Sequence, residues 1–257
     1  MDQRTLPTFT FEYGTGSASG NKVISGACVN EISIALAAGG NGVVDCTVSG
    51  WGNRHYLSGA ALTERAAGSM STAEQSLASE PLVNFKACQF FKADDLEGTF
   101  GTSSIDFSGE DLGTNLVTLT SLMNSATLSM SNGMSMEDKL RAGSSGVIND
   151  WQRGDRRFTV EMAMRKDDTS GLDTDALILA DSSFALEVLF SGPYVTGTAP
   201  YALDIFYPVV QATAGPEDDG SPISRTVAFE VFEDSNGMSA EAYVQNNISL
   251  GLNAAKV

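Results

Sequence analysis

At 257 residues, with 42% hydrophobic and 8% aromatic side chains including 13 Phe, the chain can form one large β domain or two small ones with a packed core. This composition excludes wholesale disorder. Its 32 Asp and Glu against 15 Lys and Arg give a formal net charge of −17, which excludes gripping a nucleic-acid backbone as the main task.

The first strand signal is Phe9, Phe11 and Tyr13 at every second position, a spacing that puts all three on one face of an extended segment. Glycine and serine from Gly14 to Gly20 end it. Val29 to Leu36 and Val43 to Gly52 flank Gly39-Gly40-Asn41-Gly42, whose Asn-Gly pair accepts positive φ, so the two runs predict a hairpin. Thr72 to Ala78 reads as a short helix with a hydroxyl at its start. Strand character resumes after Pro81, from Phe85 to Phe91.

A similar succession returns about 95 to 100 residues later. Met123 to Met130 echoes Val29 to Leu36, with Asn124 in the place of Asn30, and Phe158 to Met164 supplies the returning strand. A second capped helix is predicted over Thr174 to Ala180, followed by a strand from Phe184 to Phe190, and Phe85 and Phe91 match Phe184 and Phe190 at one offset. The pattern predicts an internal duplication, with a first β repeat over 1–115 and a second over 116–257. Tyr201 to Tyr207 and Arg225 to Phe232 alternate large apolar with polar residues, as half-buried antiparallel strands do.

Where the first hairpin has a tight turn, the second carries a long insertion from Gly133 to Arg156. Connections of that length usually function or are disordered. Met134, Met136, Ile148 and Trp151 stand there among Lys139, Arg141, Arg153, Arg156 and Arg157, a composition suited to packing on a partner. Residues 121–171 hold 7 basic and 7 acidic groups, whereas 172–257 hold 2 and 12, so the insertion is the local positive feature of an acidic chain. Such segregation suits contact between copies, although a solvated face has the same composition.

Chemistry finds few parts. The three cysteines, Cys28, Cys46 and Cys88, are odd in number and lack C-x-x-C spacing, so they specify no disulfide framework and no zinc site. His55 is the sole histidine, beside Arg54, and makes a poor nucleophile partner. Gly14 to Gly20 lacks the spacing of a phosphate loop. Asp94, Asp95 and Glu97, Asp173 with Asp175, and Glu217 with Asp218 and Asp219 lack the ligand ladder of a calcium loop. No catalytic, cofactor or metal residue is therefore assigned, and the chain is not expected to be an enzyme. No apolar run reaches the roughly 20 residues of a membrane span, and no export signal is visible at the start.

The run Ser25 to Ile34, Gly39-Gly40 and the strand ending Ser49-Gly50-Trp51-Gly52 resemble the opening of tail tube proteins of long-tailed bacteriophages and related gene transfer particles. Asn124 to Gly133 before a long loop, Arg156 to Met162, the segment 174–181 and Tyr207-Pro208 extend the resemblance over about residues 23 to 245. It implies a mainly β fold, a β-sandwich or barrel with short flanking helices, that forms stacked rings around a channel for genome delivery. The rings would contain three two-repeat subunits or six subunits. The insertion would make the inter-ring contact through Met134, Met136, Lys139, Arg141, Ile148, Trp151, Arg153, Arg156 and Arg157. Implied partners are further copies of the chain, other tail and head-tail connector proteins, and double-stranded DNA in passage without tight binding or any membrane. The implied location is the virion tail, assembled in the host cytoplasm. Carboxylates lining such a channel would repel a duplex that carries about one charge per 1.7 Å. The alternative class is a surface β-sandwich that binds carbohydrate or a host receptor, with Trp51 or Trp151 as a stacking platform.

Overall fold

The computed structural model describes residues 8–13, 22–37, 44–56, 85–94, 117–134, 154–165, 182–196, 199–214, 224–235 and 237–245. The fold is mainly β: every described element longer than three residues is a strand. In chain order these are β1 (Phe9–Tyr13), β2 (Lys22–Ala37), β3 (Asp45–Tyr56), β4 (Cys88–Ala93), β5 (Val117–Thr118), β6 (Met123–Ser131), β7 (Arg157–Arg165), β8 (Ser183–Thr196), β9 (Ala199–Ala214), β10 (Ser224–Phe232) and β11 (Glu241–Gln245). Two 3-10 turns, Phe85–Ala87 and Thr120–Leu122, precede β4 and β6. Phe85 to Ala87 therefore turn rather than extend, a correction to the strand expected there. Both expected helices lie outside the described residues.

The chain forms two compact units. One comprises Met1–Ser33, Thr47–Glu80 and Met130–Arg157, and the other Ile34–Cys46, Pro81–Ser129 and Phe158–Val257. These ranges interleave, whereas the expected repeats are consecutive; the units record spatial compactness and the repeats internal likeness.

In the second unit the strand order is β6-β7-β10-β9-β8-β4-β5, and β11 also pairs with β9. β7 shows the alternation of a half-buried strand: Phe158, Val160, Met162 and Met164 are buried, while Arg157, Thr159, Glu161 and Arg165 are exposed. β10 meets it in register, Val227 opposite Met162 and Phe229 opposite Val160.

β8 departs from that pattern. Every residue from Phe184 to Phe190 is buried, and so are Ala202 and Asp204 to Tyr207 of β9. Successive strand side chains point to opposite faces, so both faces of the sheet are covered at β8 and β9. The half-buried strand expected over Tyr201 to Tyr207 is corrected accordingly.

β9 is paired on both edges between Ala202 and Gln211. β8 pairs along one, and β11 (Glu241↔Phe206 to Gln245↔Ala202) and β10 (Phe232↔Val209 to Ala228↔Ala214) follow each other along the other. Pro208 falls between those two ladders, and on the β8 side it sits in the bulge between Leu186↔Tyr207 and Phe184↔Val210. Proline has no N–H to donate, so the one break in both ladders is where it fits. Across the bulged face Phe184 meets Phe229 edge to face at 5.6 Å, and Phe158 meets Tyr207 at 6.4 Å.

β5 contributes only two ladder positions to β4, Phe91↔Thr118 and Lys92↔Val117. Beyond them the Leu119 amide donates to the Phe90 carbonyl at 2.8 Å, and the Thr120 hydroxyl accepts from the Phe90 N–H at 2.9 Å. A side chain thus takes the place of the missing strand residue. Thr120→Val keeps the shape and removes the acceptor, leaving the N–H of buried Phe90 without it, at a cost of about 1–3 kcal/mol. Urea unfolding should show a lower midpoint at unchanged slope; an unchanged midpoint would show that the hydroxyl is not needed.

Candidate assembly surface

The first unit is organised by residues 27–30 of β2. Ala27 pairs with Phe9 of β1. β3 pairs with β2 and brings two glycines against its backbone. A Cβ at Gly50 would collide with the Cys28 carbonyl oxygen, and one at Gly52 would lie 2.9 Å from the Ala27 Cα. Only glycine permits this approach.

The same stretch of β2 holds the start of the 133–156 insertion, whose end is held in turn to Asn132. β6 neighbours β2 in the strand order, and just past its end the Asn132 N–H donates to the Asn30 carbonyl at 2.7 Å. The Asn132 Nδ2 donates to the Val29 carbonyl at 2.9 Å, and the Met134 N–H donates to the Asn30 Oδ1 at 2.9 Å. On the returning limb, the Gly154 N–H donates to the Asn132 carbonyl at 2.9 Å, and the Arg156 Nε donates to the Asn132 Oδ1 at 2.9 Å. The limbs touch: Gly133, at φ 58°, would place a Cβ 2.7 Å from the Asp155 carbonyl oxygen, and a Cβ at Gly154 would strike the Gly133 carbonyl oxygen. Asn132 is 4% exposed, so satisfying its backbone and side chain together avoids the penalty of burying bare polar groups.

Of the expected inter-ring residues, Met134 and Arg156 belong to this stem. Met134 is buried, Arg156 is half-buried, and Arg157 is exposed at the start of β7. Met136, Lys139, Arg141, Ile148, Trp151 and Arg153 lie outside the described residues. Asn30, Asn132, Gly133, Gly154 and Asp155 are site residues that the sequence reading missed. The asparagine that meets Asn30 in space is Asn132; Asn124, its expected counterpart in the second repeat, is exposed.

β3 has an exposed stretch. Over the described residues it pairs with β2 alone. Every side-chain position from Asp45 to Gly50 is exposed, which exposes both faces of the strand, and Val48 is 57% exposed. Trp51 is half-buried, and the side chain of His55 lies outside the described residues.

Among the described residues the second unit holds three carboxylates in its interior: Glu187, Asp204 and Glu241, on β8, β9 and β11. Register puts them on one face, because Glu187 and Glu241 both pair with Phe206, two residues along β9 from Asp204. The Tyr243 hydroxyl donates to the Glu241 Oε1 at 2.7 Å. Among the described residues no group of three or more His, Cys, Asp or Glu is placed to hold a metal ion. No described helix is long and apolar enough to cross a membrane.

No protein-family model and no curated protein matches the sequence. Among solved structures the chain is similar to one titled "Structure of a type six secretion system protein", at 14% identity, over 61% of this chain and 94% of that one, with a TM-score of 0.32.

All three cysteines are free; Cys46 is exposed, while Cys28 and Cys88 are buried. Burial pushes the Cys88 thiol from 9.0 up to about 12 and also raises Cys28 and Tyr207. Above pH 9 the unfolded chain releases the Cys88 proton while the folded chain retains it until about pH 12. The stability this provides is complete below pH 9 and is lost as pH rises toward 12. Denaturant titrations across that window should give a shallower alkaline loss for Cys88→Ala than for the wild type; equal slopes would contradict it.

Proposed function

We propose that the chain is a structural subunit of a tail-type tube, the major tail tube protein of a long-tailed bacteriophage or a related gene transfer particle. Its copies close into rings, the rings stack, and the bore conducts the genome. The role is architectural rather than catalytic, and it is exercised in the virion after assembly in the host cytoplasm. Neighbouring tail and connector proteins meet the ends of the tube.

The observation that carries this reading is β3, paired with β2 alone among the described strands and exposed on both faces over Asp45 to Gly50. An exposed strand edge is a template for another chain, and soluble proteins usually blunt it with Lys, Pro or a covering element. Residues 44–50 contain neither Lys nor Pro. A copy of the same chain, docked with rotational symmetry, buries such an edge without leaving a new one. The sequence resemblance through Ser25 to Ile34 and Ser49 to Gly52 supports the same assignment, since these residues build β2 and β3. The insertion, with its basic and apolar residues, supplies a contact from one ring to the acidic surface of the next. Among the described residues Glu187, Asp204 and Glu241 are interior, so the repulsion of passing DNA belongs to exposed carboxylates such as Glu31 and Asp45.

Val48→Lys tests the reading. At 57% exposure the substitution should change subunit stability by less than about 0.5 kcal/mol while placing a charge where a neighbour must dock. Wild-type protein should form rings or tubes in sedimentation, and Val48→Lys should remain a folded monomer. Equal assembly of the two proteins would remove β3 from the interface.

A further inference from the structure

For β6 and β7 to pair, the two ends of the insertion need only lie near each other, and contact between Gly133, Gly154 and Asp155 already provides that. The stem does more. Asn132 uses its N–H, its carbonyl, Nδ2 and Oδ1 at once, and the four go to Asn30, Gly154, Val29 and Arg156. Two of these partners are on β2 and two on the returning limb. Asn30 adds its Oδ1 to the Met134 N–H, so the outgoing limb is held to β2 on both sides of Gly133. Closing a loop requires none of the bonds to β2. Their effect is orientation: the outgoing limb directly, and the returning limb through Asn132, are tied to the stretch of β2 whose backbone at Ala27 and Cys28 seats Gly52 and Gly50 of β3.

We infer that Asn132 and Asn30 are positioning residues for assembly, a role that rests on the tube reading above. They fix the two ends of the insertion, residues 132–134 and 154–156, relative to β2 and so to β3, the strand that closes the ring. Met134 and Arg156 serve this seat: the Met134 side chain is buried and the Arg156 Nε is occupied by Asn132. A contact oriented in advance does not incur the ordering cost at each docking event, and the saving recurs for every subunit of a ring.

The test compares wild type, Asn132→Ala and Asn30→Ala. Asn30 is only half-buried, and Asn30→Ala removes a single acceptor, so it remains informative if Asn132→Ala folds poorly. In unassembled subunits, amide hydrogen exchange should quicken about tenfold at Met134 in both variants, with Val160 and Met162 unchanged as an internal control. The protein concentration needed for tubes, read by sedimentation and electron microscopy, should rise by about tenfold, while rings still form. Unchanged exchange at Met134 would overturn the seat. Faster exchange with tubes at the wild-type concentration would overturn the positioning role alone. A wild-type protein that never assembles would defeat the tube reading and the positioning role together.

Discussion

Each β-strand carries two rows of backbone N–H and C=O groups, and each row must find partners or stay wet. β9 meets this demand from Ala202 to Gln211, with β8 along one edge and β11 followed by β10 along the other, and Pro208 at the place where neither ladder asks for an amide. β3 is the counterpart: among the described strands it pairs with β2 alone and has no cover on either face from Asp45 to Gly50. The contrast between a strand completed within its subunit and one left to be completed from outside gives the proposed assembly its physical motive.

Polar groups in this protein are spent in two ways. In the first unit they build joints: Asn132 and Asn30 tie an insertion to β2 through hydrogen bonds that span 103 and 104 residues of sequence. In the second unit Glu187, Asp204 and Glu241 sit in the interior on the face that carries Phe206, while the opposite face carries Tyr207 and Leu186. A net charge of −17 therefore does not mean a uniformly acidic exterior. The arrangement costs stability unless each buried group is satisfied, which makes polar geometry as decisive as apolar packing here.

Much of the strand plan was legible in sequence. Alternation marked β1, β7 and β10, and Gly-Gly-Asn-Gly between two β-rich runs marked the β2–β3 hairpin. β8 and β9 were found as strands, but β9 was misjudged as half-buried, because local alternation at Tyr201 to Tyr207 says nothing about what covers the second face. β11 and β5 were missed: EAYVQ is short and mixed, and a two-residue strand has no period. The insertion was legible by its length. Its seat was not, since Ser131-Asn132-Gly133 reads as an ordinary turn and the residues that anchor it, Val29 and Asn30, lie far earlier in the chain. Turn-forming residues on both sides of the insertion, Asn132-Gly133 and Gly154-Asp155, were the one local signal of a closed stem.

The central claim is that identical neighbours complete β3. Electron cryo-microscopy of the purified wild-type protein, at a concentration where it sediments as particles, examines this directly. Rings enclosing an open bore, with β3 at the boundary between adjacent subunits and three or six copies per turn, are the predicted result. Particles in which β3 faces solvent, or a protein that stays monomeric at every concentration, would contradict it.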